Sequence, residues 1–183
     1  MQETHQSAQQ VLDFWFSDAV MPCWFVKSDA FDRRCKSFEN TLTAAVMGEC
    51  AGWRETMAGR LAEIIVLDQL SRNLFRNTPR AFSQDAMALA LAQEAVKQPD
   101  YTALAPLQRK FVLMPYMHSE SKVIHQQAIP LFEALNDAET LDFEWRHKAI
   151  IDRFGRYPHR NAVLDRISTP AEIDFLTQAR SSF

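Results

Sequence analysis

LAEIIVLDQLSRNLFR, residues 61–76, is the stretch on which the fold turns. From about residue 55 to 76, Leu61, Ile64, Ile65, Val66, Leu67, Leu70, Leu74 and Phe75 fall on most sides of a 3.6-residue helix. A helix that is apolar nearly all round must be enclosed by others, so an all-α fold with this helix in its core is expected. One residue breaks the pattern. Asp68 follows Leu61 by seven and Ile64 by four, so it shares their face, with Arg72 one turn further on. A lone carboxylate there would be costly, so Arg72 or another cation must meet it, or its pKa must rise. Two readings stand open: a buried ion pair that fixes helix register, and the wall of a polar pocket.

Helical spacing extends in both directions from this segment. Residues 28–47 read as one amphipathic helix, with Phe31, Cys35, Phe38, Leu42 and Ala45 in a stripe, Ser28 as N-cap and Gly48 as stop. A shorter helix over 4–16 ends in Phe14, Trp15 and Phe16. Further helices are predicted at about 84–97, carrying Met87, Leu89, Leu91 and Ala95, and at 106–114, opened by Pro106. Another is predicted over 119–136, where Ile124, Ala128, Leu131, Phe132 and Leu135 form a stripe that Pro130 should kink or split. Ser119 would cap this helix and Glu120 would meet its dipole. Phe143–Phe154 ends at Gly155 with Pro158 beyond it, and Thr169 with Pro170 opens a last helix over 170–180. Alternating strand patterns, an internal linker and a 34-residue repeat are not visible, so residues 1–183 read as a single helical domain.

Composition narrows the function. With 183 residues, 47% hydrophobic and 23% charged, the chain can bury a core and does not read as disordered. Its four glycines, Gly48, Gly52, Gly59 and Gly155, are too scattered for a dinucleotide fingerprint or a phosphate-cradling loop. The net charge of −3 argues against a broadly basic nucleic-acid binder, although residues 146–160 are locally basic. Cys23, Cys35 and Cys50 fit neither a disulfide framework nor a zinc ribbon, and reduced thiols in a cytoplasmic protein are expected. No secretion signal or membrane span is expected either.

Several strings resemble a known family: VLDFWF at 11–16, LAEIIVLDQLSRNLFR at 61–76, RKFVLMPYMHSE at 109–120, IIDRFGRYPHRN at 150–161 and STPAEIDFL at 168–176. Together, and in order, they resemble the mainly bacterial domain-of-unknown-function family 924. The resemblance implies an all-α compact array of antiparallel helical hairpins, similar to tetratricopeptide repeats. It implies no activity. Ser71 stands where the family commonly has proline, and Asp165 where it commonly has glycine.

The polar residues supply the functional expectation. His147 sits in the stripe of Phe143 and Ile150, either as a satisfied core histidine or as a functional one. RFGRYPHRN, 153–161, gathers Arg153, Arg156, His159, Arg160 and Asn161 around a helix break. Pro158 would open a turn there whose backbone N–H groups join the guanidiniums in holding a carboxylate or phosphate. The alternative is an internally paired turn, for example onto Asp152 or Glu144. The leading expectation is a pocket lined by Arg72, Arg109, His118, Glu120, His147, Arg156, His159 and Arg160 that binds an anionic small molecule or an acidic peptide end. Within it, Arg72, Arg109, Arg156, His159 and Arg160 are the ligand-binding candidates, and His118, Glu120 and His147 the catalytic ones. The rival is a small-molecule hydrolase or transferase with a histidine general base and an arginine pair that stabilises negative charge. A third reading, an interaction scaffold, would expose an apolar groove using Trp24, Phe25 and Trp53. No cofactor is expected and no metal, because neither H-E-x-x-H nor paired C-x-x-C spacing occurs.

Overall fold

The structure is a computed structural model that describes residues 5–179 and 181, and among these the regular elements are helices, with no strand. The chain starts with α1 (Ala8–Trp15), fixed by a capping box in which Ser7 and Gln10 satisfy each other's backbone N–H groups. Its buried residues Val11, Leu12 and Trp15 face the core.

The stripe predicted over 28–47 is buried throughout, but the helix is not continuous. Ser28 caps α2 (Asp29–Cys35), a 3₁₀ turn covers Lys36–Phe38, and α3 (Glu39–Val46) follows. Phe31, Cys35, Phe38, Leu42 and Ala45 all lie in the core, and Gly48 takes φ +78° beyond the helix end. A 3₁₀ turn rotates the chain without breaking the apolar face, so periodicity alone does not reveal it.

The central segment is enclosed as its composition requires. Thr56 caps α4 (Met57–Ile64), the helix widens to a π turn over Ile65–Leu70, and α5 (Ser71–Leu74) continues it. Every residue from Leu61 to Ser71 is buried. The expected uninterrupted α-helix is thus corrected at Asp68, which sits inside the π turn. Such turns are rare and gather at functional sites. Gly59 lies directly on the 3₁₀ turn Ala51–Glu55, where an added Cβ would stand 1.9 Å from the Trp53 carbonyl oxygen. Gly59→Ala is therefore expected to cost about 1–3 kcal/mol through overpacking, read as a lower urea midpoint.

Four further helices surround this core. The buried face of α6 (Asp85–Ala95) is Ala88, Ala92 and Ala95, which lets it pack closely on α4 and α7, while Met87, Leu89 and Leu91 are only half-buried. α7 (Pro106–Met117) runs on through Pro115 to its C-cap, His118. α8 (Lys122–Glu133) starts at Ser121, not at the predicted Ser119, whose N–H bonds Tyr116 O. Pro130 does not split α8. α9 (Ala138–Phe154) packs along α8 and begins five residues before Phe143, because Asp137 accepts from the Thr140 N–H at 3.0 Å. It ends at Gly155, φ +71°, as the left-handed C-cap requires.

After a 3₁₀ turn at Pro158–Arg160, Asp165 takes φ +53° and the next N–H, of Arg166, reaches Asn161 O at 2.8 Å. The left-handed conformation is one that aspartate tolerates. Thr169 and Glu172 form the capping box of α10 (Pro170–Leu176), which is shorter than predicted. Among the described residues no helix is long and apolar enough to cross a membrane.

Candidate functional site

The π turn, the N-terminus of α6, the C-cap of α7 and the Pro158–Arg160 turn meet in one polar centre. Asp68, with no side-chain exposure, is satisfied on both carboxylate oxygens. Oδ1 meets His118 Nδ1 at 2.7 Å and Arg72 Nη1 at 3.1 Å, and Oδ2 accepts from Gln69 Nε2 at 2.6 Å. Burial opposes its ionisation, but Arg72 and His118 prevail and hold the carboxyl well below its ordinary value. The expected partner of Asp68 is therefore present, one helical turn away, together with a second that sequence spacing did not indicate.

Arg72 and Arg160 converge on Asp85, the first residue of α6. Arg72 Nη2 and Arg160 Nη1 each donate to Asp85 Oδ2 at 3.1 Å, while Oδ1 lies 3.0 Å from Arg72 without an aligned hydrogen bond. Both guanidiniums stack on Phe82, at 5.7 and 4.6 Å from the ring centre, and Arg160 also covers Tyr157. Arg160 Nη2 donates to the His118 carbonyl at 3.1 Å, but its Nε is buried without a partner. Burial and the neighbouring Arg72 charge lower the Arg160 pKa. Arg72 and Arg160 against Asp68 and Asp85 leave this centre without net charge.

A second layer braces the centre from behind. Glu120 accepts from both terminal nitrogens of Arg166, at 2.7 and 3.0 Å, and from the Tyr157 N–H at 2.8 Å. Against the effect of burial these donors keep it ionised, so this catalytic candidate serves as an anchor for the Tyr157 turn. Tyr157 Oη donates to Met117 O at 2.5 Å, and the wholly buried His125 and Glu144 are joined at 2.6 Å. His147 Nδ1 donates to Phe143 O at 2.7 Å, its ring stands edge-on to Tyr157, and burial pushes its pKa down to about 3. That geometry matches a core histidine. His159 also lies beside Tyr157, and burial, with Arg160, lowers its pKa to about 4.

The other ligand-binding candidates lie elsewhere. Arg156 is held bidentately by Glu172, at 2.6 and 2.8 Å, and also donates to Ile167 O. It lines an open depression of about 570 Å³ with Arg153, Phe154, Thr169, Ala171 and Glu172. The internal pairing of this turn is real, but its acids are Glu172 for Arg156 and Asp85 for Arg160, not Asp152 or Glu144. Pro158 opens only a three-residue 3₁₀ turn, and the Arg160 and Asn161 N–H groups are used by Tyr157 O and Pro158 O. Arg109 is in the first turn of α7 near Tyr101, nine residues and about 13 Å of helix rise from His118.

Among the described residues no cluster of three or more His, Cys, Asp or Glu could hold a metal ion. Burial pushes the Cys35 and Cys50 thiols up to about 12 and 11, which removes them as nucleophiles at neutral pH. Of the aromatic residues expected in a scaffold groove, Phe25 is 65% exposed, while Trp24 and Trp53 pack against the core. Sequence reasoning missed Asp85 and Phe82. An acid in a helix's first turn looks like ordinary dipole compensation, and a lone phenylalanine near a proline carries no signal of its own.

The family model described as "Bacterial protein of unknown function (DUF924)" matches residues 11–180. The chain belongs to this family. A DUF924 member therefore carries the Asp68–His118–Arg72–Asp85–Arg160 centre within the matched segment. The chain is also similar to the solved structure of a protein of unknown function from Agrobacterium tumefaciens. The two are 35% identical with a TM-score of 0.89, over 94% of this chain and 97% of that one. No curated protein matches it.

Proposed function

We propose that this DUF924 protein binds a small anion, a phosphate or a carboxylate, between Arg72 and Arg160 beside His118. The observation that carries the reading is the pair of guanidiniums stacked on Phe82 and bridged by one carboxylate, that of Asp85, through bonds of 3.1 Å. Planar guanidiniums recognise carboxylate and phosphate oxygens bidentately, and they do so best where an aromatic face excludes water. Because the centre is electrically balanced, an incoming anion takes the place of Asp85 on the two arginines. The unpartnered Arg160 Nε supplies one more donor than Asp85 uses.

Thermal melting with inorganic phosphate and small mono- and dicarboxylates tests this. A ligand at about 100 times its dissociation constant adds about 2.7 kcal/mol of stability. Asp85→Asn, which removes the competing charge, is expected to enlarge the ligand-dependent shift. Arg72→Lys keeps the charge but loses the fork, and is expected to reduce it. Absence of any shift in the wild type and in Asp85→Asn would sink the proposal.

A further inference from the structure

Anion binding leaves the imidazole of His118 without a task, although its surroundings define its chemistry closely. Asp68 is buried and held ionised, and an ionised carboxylate can only accept hydrogen bonds. The His118 Nδ1 atom, 2.7 Å away, must therefore carry hydrogen. Burial and the nearby Arg72 charge, partly offset by Asp68, hold the imidazole pKa below its ordinary value, so at neutral pH the ring is uncharged and has one N–H. The lone pair is then on Nε2. That atom takes no hydrogen bond among the described residues and is absent from the buried unpartnered atoms, and the side chain is 16% exposed. Solvent or a ligand reaches it.

The ring is also fixed from its backbone. The His118 N–H bonds Met114 O at 3.0 Å, and its carbonyl accepts from Arg160. A tautomer-locked base thus shares Asp68 with Arg72 and is tied through its carbonyl to Arg160, the two guanidiniums that would hold an anion. A carboxylate behind an imidazole both orients it and stabilises the imidazolium formed when it takes a proton.

We infer that His118 is the general base of a hydrolase acting on small phosphate monoesters, an inference that rests on the anion reading above. Arg72 and Arg160 hold the phosphoryl oxygens. His118 Nε2 takes a proton from a water molecule as the water oxygen bonds to phosphorus and the ester P–O bond breaks. The leaving oxygen recovers that proton from the imidazolium, which returns the ring to its neutral tautomer. Asp68 is a positioning residue in this scheme, since it acts only through His118.

Carbethoxylation with diethylpyrocarbonate, mapped by mass spectrometry at pH 6.0 and 7.5, tests the base directly. An ordinary histidine loses about fourfold in reactivity between those pH values, because its neutral fraction falls. His118 is expected to be modified and to lose less than an ordinary histidine does, and inorganic phosphate is expected to protect it. Turnover of 4-nitrophenyl phosphate tests the reaction. His118→Gln is expected to lower kcat at least 100-fold with KM within threefold, and Arg72→Lys to raise KM.

An unreactive His118 alongside a phosphate-dependent melting shift would overturn the base and leave the anion site standing. A reactive His118 that phosphate neither protects nor stabilises would overturn the anion site, and the hydrolase with it. No turnover by the wild type, or equal turnover by His118→Gln, would overturn the hydrolase. If His118→Gln does not fold, the labelling of the wild type still decides whether His118 is the open base.

Discussion

Asp68→Ala is expected to destabilise the protein by roughly 3–5 kcal/mol at neutral pH, because it leaves a half-buried arginine and an imidazole without their shared carboxylate. The side chain has no exposure and is satisfied by His118, Arg72 and Gln69, so truncation strands two hydrogen-bond donors and removes the charge that faces Arg72. Arg72 keeps its bond to the Asp68 backbone carbonyl, at 2.5 Å, but of its two acids only Asp85 remains. Urea unfolding at pH 7 measures the loss. A change under 1 kcal/mol would mean that neighbouring groups or water replace the carboxylate without cost, and the centre would then not be a stressed buried network. Asp68→Asn should fall between the two, since it keeps the shape but carries an amide that cannot offset Arg72.

Acid should unfold the protein earlier than its carboxylates alone would require, and the buried His147 is one of the residues expected to cause it, beside His159 and His118. In the folded state burial holds its pKa at about 3, against 6.5 for the unfolded chain. Above pH 6.5 neither state binds the proton, and the folded state bears no penalty. Between pH 6.5 and about 3 the unfolded chain is protonated while the folded one is not, so stability falls by about 1.4 kcal/mol per pH unit. Below that both states are protonated and the loss stops, at roughly 4–5 kcal/mol in all. The carboxylates held low, among them Asp68, Glu120 and Glu172, act in the same direction but only below the ordinary carboxyl range. His147→Leu separates the two contributions. It gives up the bond to Phe143 O, and its stability should decline less steeply than the wild type's between pH 7 and 5, where His159 and His118, also held below the ordinary histidine value, still contribute. Equal slopes for both proteins over that range would show that another group accounts for the decline.

Sequence alone determined that the chain is helical and which faces are buried. Phe31, Cys35, Phe38, Leu42 and Ala45 share a stripe because spacing of three and four residues places them on one side of any helix, even one broken by a 3₁₀ turn. Thr169 with Pro170 and the glycine at 155 mark helix ends through local backbone geometry, so they too were legible. The need of Asp68 for a cation followed from electrostatics, and Arg72 was reachable because it lies one turn along the same segment.

The tertiary structure decided the rest. His118, Asp85 and Arg160 come from positions 50, 17 and 92 residues beyond Asp68 and meet only when α6 and α7 pack against the central segment. The same packing gave Arg156 to Glu172 and Glu120 to Arg166, although each was an equally good candidate for the site by residue type. Charge, hydrogen-bonding capacity and helical phase belong to the residue and its near neighbours, and a sequence displays them. Which arginine meets which acid depends on where distant helices come to rest, and that is set by the fit of Ala88, Ala92 and the rest of the core.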